Sequence, residues 1–402
     1  MQCWRLSTAD DTYLPLSDLA PERVIQYDFQ ATSIRRFTAK FTRSYYLALE
    51  RMRAFDEACA RCAREIEAGD FDLLFANSAT SFYVPYVLRH VQLPKVLYLQ
   101  EPRRPSYEAM PILPWMEGVT ENLAQAKLFS VFGLTIDYPA LQSLRVLGRQ
   151  EWVNVRACDS VLVNSYYSRE STMRAYGVEA RVCYLGIDTS LFRSLQLPRK
   201  RFIVGLGSFD MVKGVDRAVR ALALLPNPRP QLVWICNSGN ADYQRTVEGL
   251  AERLGVDLVI RRAISDEDLI TILNEAALLV YTSRLEPFGF APLEANACGT
   301  PVVAVAEGGV RETVVNGLNG FLVDPEPESI ADGMSRLLED PARAREMGEN
   351  GAAHVQKVWG FESSIDRLEE NLYRVASRRD ELDRERETNE AIDSAQRICE
   401  VA

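Results

Sequence analysis

Histidine is nearly missing from this chain. Its 402 residues hold two, His90 and His354, and neither stands near a recognisable site. Histidine-based metal binding and histidine-dependent triads are therefore poor candidates for its chemistry. Long apolar runs are missing too. None approaches the roughly 20 residues needed to span a bilayer, and the N-terminus has no apolar signal-peptide core. A cytoplasmic protein is the expectation. Positive charge is in deficit, with 46 Lys and Arg against 56 Asp and Glu and a net charge of −10. That balance disfavours nonspecific nucleic-acid binding, so no nucleic-acid partner is expected. Eight cysteines over this length are too sparse for a disulfide framework. Cys59 and Cys62 form a C-x-x-C, but they lie in a helical pattern (FDEACARCAREIEAG) with no second pair to complete a zinc site. Two semi-buried thiols is the plainer reading.

What is present reads as a globular chain. Apolar residues make up 47% and charged residues 25%, and the length allows two domains, each with its own core. From Asp70 a parallel-sheet rhythm sets in. FDLLFANS, KVLYLQEP, ACDSVLVNS and ARVCYLG are strand-like runs separated by helix-length segments. Pro198 to Arg201 reads as a linker. A second series then follows, FIVGLG, LVWIC, DLVIRR, ALLVY, PVVAV and FLV, spaced as another doubly wound sheet. Ligands on such sheets bind beyond the carboxyl ends of the strands.

The most informative stretch is Ser283 to Glu294, SRLEPFGFAPLE. Its carboxylates Glu286 and Glu294 stand in an E-x(7)-E arrangement, after a short buried strand and at the start of a small-residue helix ended by Cys298-Gly299-Thr300-Pro301. Glu286 is placed in the strand-to-helix loop and Glu294 about two turns on. Pro287, Phe288, Gly289 and Phe290 bring backbone N–H groups to the helix N-terminus, where anions are stabilised. Carboxylates flanking an anion cradle suit a ligand that combines hydroxyls with phosphate, such as a nucleotide-sugar.

These residues resemble the retaining, metal-independent glycosyltransferases of the GT-B fold, the group that includes glycogen synthases and bacterial mannosyltransferases. The family pattern E-x-F-G-x-x-x-x-E is matched at Glu286, Phe288, Gly289 and Glu294. It continues through Gly299-Thr300-Pro301-Val302-Val303, Glu307-Gly308-Gly309, Glu312, Asn316-Gly317 and Gly320 to Val323. The resemblance is dense from about Val161 to Val323. It implies an α/β protein of two Rossmann-like, doubly wound domains facing across a cleft. The expected division is 1–195 for the acceptor-side domain, 196–360 for the nucleotide-sugar domain, 361–376 for a helix returning to the first domain, and 377–402 for a charged tail. It implies transfer of a sugar from a nucleotide-sugar to a saccharide or lipid-linked acceptor, with retention and without a metal or other cofactor. Glu286 would bond sugar hydroxyls and Glu294 the ribose. Lys213 and the amides of Phe288, Gly289 and Phe290 would hold the diphosphate, from a loop that also carries Gly207 and Ser208. Gly308 and Gly309 would let the backbone close on the ligand.

Several departures qualify the match. Met1 to Asp28 contains no glycine, whereas relatives usually open with a strand and a glycine-rich loop. Ser208 stands where an arginine is expected five residues before the lysine, and Gln100 stands where relatives often carry a cleft histidine. A second arginine would restore the lost charge, and Arg284 and Arg311 are the candidates because they flank the glutamate- and glycine-bearing loops. A noncatalytic binding partner, or less readily a nucleotide-sugar epimerase, is the alternative function. Asp70-Phe71-Asp72 matches a metal motif of a different glycosyltransferase fold but opens a strand here, and reads as an entry turn. Ile34 to Phe55 is basic and aromatic, with Arg35, Arg36 and Lys40. Either it contacts an anionic membrane surface or it is a packing stripe with a solvated face. The stretch 108–151 is expected to face the acceptor.

Overall fold

The computed structural model describes residues 1–8, 16–27, 29, 43–78, 82–107, 142–379, 381 and 384. The chain packs as two units. Met1–Val163, Ser171–Arg181 and Asn371–Ala402 make one, and Asn164–Glu170 with Val182–Glu370 make the other.

In the first unit the glycine-free opening forms a parallel pair, β1 (Cys3–Leu6) with β2 (Glu22–Ile25). A second sheet runs in the order β3 (Leu74–Asn77), β4 (Lys95–Gln100), β5 (Ser160–Val163) and β6 (Arg181–Val182). Asp70 to Asp72 come just before β3. Helix α1 (Arg43–Glu67) buries Met52, Phe55, Cys59, Cys62, Ala63 and Ile66, a helical stripe turned to the core. Burial pushes the thiols of Cys59 and Cys62 up to about 11 and about 12, so both stay protonated and behave as small apolar groups. Arg35, Arg36 and Lys40, the stretch 108–141 and most of the 377–402 tail lie outside the described residues. Of the basic aromatic segment Ile34 to Phe55, residues 34–42 lie outside them as well. Among the described residues no helix is long and apolar enough to cross a membrane.

The second unit is built on six parallel strands. These are β7 (Phe202–Leu206), β8 (Gln231–Cys236), β9 (Leu258–Arg262), β10 (Leu278–Tyr281), β11 (Val302–Val305) and β12 (Gly320–Val323). Their order is β12-β11-β10-β7-β8-β9. The central strands β10 and β11 are buried throughout, which accounts for continuous apolar runs in place of alternation. Crossover helices obey local rules. Before the helix Ala241–Leu254, Asn240 accepts from the amides of Asp242 and Tyr243, and Gly255 closes it in the left-handed region at φ 64°. Val204, Leu279 and Val302 of the sheet pack with Leu273, Ala291 and Ala295 of the helices into one core.

The strand order reverses direction between β7 and β10. That is the topological switch point, where the loops beyond the carboxyl ends diverge and leave a crevice. The loops that follow β7, β10 and β11 carry the residues of interest.

Candidate active site

The loop after β7 is shaped to present Lys213. Gly207 (φ 145°) leaves its carbonyl on Trp234 Nε1 at 2.9 Å. A Cβ at Gly207 would lie 3.1 to 3.3 Å from Cδ, Cγ and Cε of Lys213, so the missing side chain makes way for the lysine stem. Asp210 caps the 3₁₀ turn Met211–Lys213 by accepting from the Lys213 amide at 3.2 Å. Gly214, left-handed at φ 67°, ends the turn and starts α2 (Val215–Ala223). Ser208 Oγ donates to Asp210 Oδ2, so the position expected to carry a cation supports a carboxylate instead.

The loop after β10 brings in Glu286. Lys213 Nζ and Glu286 Oε2 meet at 2.6 Å, with both side chains about one-fifth exposed. Leu285 adopts φ 51°, uncommon for a branched residue, and Gly289 (φ 96°) precedes α3 (Phe290–Ala297). The first-turn amides of α3 have no intrahelical acceptors, which suits an anion. Phe288 is buried with Leu293, Ala297 and Trp359, so its ring anchors the loop while its backbone stays at the site. Phe290 is largely exposed.

Glu294 is the fifth residue of α3, little more than one turn in where two were expected, because the helix starts only at Phe290. Its carboxylate has no hydrogen-bond or ion-pair partner among the described residues. Burial, with Asp266 adding repulsion, pushes it up to about 7. A carboxylate without a protein partner is suited to ligand hydroxyls.

Gly308 and Gly309 close on protein. A Cβ on Gly308 would stand 2.2 Å from Glu286 O, and one on Gly309 1.9 Å from Pro287 O. Gly309 N donates to Glu286 O at 2.7 Å. The glycine pair therefore locks the β11 loop against the β10 loop and fixes Glu286 from behind. Beside it Arg217 forks onto Glu307 at 3.0 and 3.1 Å.

The arginine expectation needs correcting. Arg284 does not turn towards Lys213 and Glu286. It is buried, 5% exposed, and forks onto Asp216 at 2.9 and 3.1 Å. Arg311 lies on the surface, with Nε on the Gly308 carbonyl at 3.0 Å, next to the glycine pair. Gln100 belongs to the first unit, exposed at the end of β4 with φ 65°. The sequence reading missed Asp216 and Tyr243. An acidic residue in a first helical turn passes for a helix-dipole partner, and nothing local marks Tyr243.

Comparison with known proteins finds a family likeness in one segment of the chain. Residues 188–354 match the family model "Glycosyl transferases group 1". The match makes this segment, less than half of the chain, similar to the group 1 glycosyltransferases. The group 1 segment holds Glu286, Glu294, Lys213 and both glycine loops. A D-inositol 3-phosphate glycosyltransferase of Thermomonospora curvata is 31% identical over 256 residues, 56% of this chain and 59% of the relative. An alpha-1,3/1,6-mannosyltransferase of Dictyostelium discoideum is 25% identical over 45% of this chain and 48% of its own length. The chain thus spans less than two thirds of these curated relatives. Among solved structures, sucrose-phosphate synthase from Thermosynechococcus elongatus superposes with a TM-score of 0.67 at 23% identity, covering 93% of this chain and 98% of that one. HepE of Anabaena in complex with UDP-glucose gives 0.65 at 21% identity, covering 92% and 91%. The chain therefore has the GT-B fold.

Proposed function

We propose that the protein transfers a sugar from a nucleotide-sugar donor to a saccharide or lipid-linked acceptor, with retention at the anomeric carbon. One observation carries the reading. A lysine and a glutamate from adjacent strand ends meet at 2.6 Å at the switch point of a parallel sheet, beside the free end of α3. The relatives support the class of reaction, and the UDP-glucose complex of HepE supports the class of donor.

In this reading Lys213 and the α3 amides take the charge of the departing diphosphate, so catalysis rests on placing and stabilising a leaving group. Glu286, released from Lys213 when phosphate arrives, accepts from sugar hydroxyls. Glu294 accepts from the ribose. Residues 196–360 hold the donor, and the leaving phosphate helps to deprotonate the acceptor, so no separate base or metal is required. The test is incubation with UDP-, GDP- and ADP-sugars, following release of nucleoside diphosphate and the anomeric configuration of the product. Release with a retained product supports the proposal. An inverted product overturns retention, and an isomerised donor would point to an epimerase.

A second reading, a noncatalytic donor-binding partner, is favoured by Ser208 and Asp210. Their hydrogen bond puts a carboxylate where relatives present an arginine to the diphosphate. Donor binding without release in the same panel distinguishes it.

A further inference from the structure

We infer that Arg284, clamped by Asp216 and Tyr243, is a positioning residue that holds Lys213 where a second phosphate is read. The inference rests on the donor-site reading above and adds the machinery behind it. Four consecutive carbonyls of the lysine turn accept from the segment just upstream of Glu286. Arg284 Nη1 donates to Met211 O at 2.5 Å and the Arg284 amide to Val212 O at 2.7 Å. Thr282 Oγ1 is shared between Lys213 O at 3.2 Å and Gly214 O at 2.8 Å. The two loops also touch as backbones, since a Cβ on Gly214 would stand 2.2 Å from Thr282 O.

The guanidinium itself is held in turn. Asp216 takes it in a two-point fork and also accepts from Tyr243 Oη at 2.5 Å, while the Asp216 amide donates back to that hydroxyl at 3.1 Å. Asp216 and Tyr243 are 3% and 8% exposed. A buried pair like this adds little net stability compared with an apolar replacement, but it fixes geometry, because a planar fork bonded at both ends has one orientation. What it fixes here is the backbone from which Lys213 projects. The arginine that would have supplied charge from position 208 is absent, so the remaining lysine carries the phosphate contact and its placement decides the affinity. Arg284 acts through that placement and never touches the donor.

The test is isothermal titration of UDP, GDP and ADP, and of UMP, GMP and AMP, against the intact protein. Arg284→Lys keeps a charge for Asp216 but loses the fork. Its diphosphate-over-monophosphate preference is expected to fall about tenfold, with monophosphate affinity held within about twofold. Tyr243→Phe, expected to lower the preference about threefold, runs through the same measurement, so the outcome does not hinge on the folding of one variant. In a Lys213→Ala background neither substitution should weaken diphosphate binding further. Equal loss of both nucleotide classes, or a full effect persisting without Lys213, would overturn the inference. A wild-type protein that binds no nucleoside diphosphate would bring down the donor reading itself.

Discussion

Lys213 and Glu286 pair across 2.6 Å, so in the proposed donor site each would meet its ligand by giving up the other. A diphosphate would replace the carboxylate on the lysine with an acceptor of greater charge, and a sugar hydroxyl would replace the ammonium on the glutamate. Glu286→Ala should therefore lower turnover by about 100-fold or more, equivalent to about 3 kcal/mol of transition-state binding. The pair is partly solvated, so unfolding free energy should change by no more than about 1–2 kcal/mol. Near-normal turnover in a folded variant would remove Glu286 from its role. Glu294 predicts a pH effect. Its folded carboxyl titrates near 7, above the ordinary value of 4.5, so the folded state holds the proton more tightly than the unfolded chain. The resulting stability is complete below about pH 4.5 and is lost as pH rises through 7. Glu294→Gln, which cannot ionise, should match the wild type in urea unfolding at pH 4.5 and exceed it by about 2–3 kcal/mol at pH 8. Equal stabilities at both pH values would refute the assignment. Both glutamates were readable from their spacing and from the glycines around them. The fate of Arg284 was not, because its partner lies 68 residues away and pairing at that distance leaves no local mark.

Helix ends give a third prediction. The helix Tyr166–Tyr176 is capped by Ser165, whose Oγ accepts from the Ser168 amide at 3.0 Å, but that cap does not reach the amides of Tyr166 and Tyr167. Instead, Glu312 from the short helix Val310–Thr313 accepts from the Tyr166 and Tyr167 amides at 2.9 and 3.2 Å, and from Tyr184 Oη at 2.8 Å. Ser165 Oγ, just before the helix, donates to Pro287 O at 2.6 Å, next to Glu286. Glu312→Ala should cost about 1–2 kcal/mol in denaturant unfolding, in the range of a lost cap, with Glu312→Gln recovering part of it. No change in the alanine variant would show that water replaces the carboxylate. The central strands of the second unit were visible as apolar runs, since a strand buried on both faces leaves no polar alternation to confuse the reading. The start of α3 was less visible. Pro287 to Gly289 read as helix entry, yet the left-handed Gly289 delays the first turn to Phe290.

For the protein as a whole, activity should survive an excess of EDTA, because Lys213 and the α3 amides are placed to take the diphosphate charge. Complete loss restored by magnesium or manganese would contradict this. The two units were unequally legible. The second carries its site on loops with strong backbone demands, and those demands select recognisable residues. The opening of the first is a pair of four-residue strands, mostly half-buried, whose partner in each case is another short strand. The strand order of the second unit also bears on how the protein comes into being. The central pairing sets Leu278 beside Ile203. During synthesis, Lys213 leaves the ribosome long before the strand that carries its counterpart, and β7 waits with one edge open until β10 arrives. Closing a loop of that length is slow, and unpaired strand edges invite wrong partners meanwhile. Under the proposed function, nucleotide capture would consequently be a late event in the life of the nascent chain. In refolding experiments it would serve as a signal that the middle of the sheet has closed.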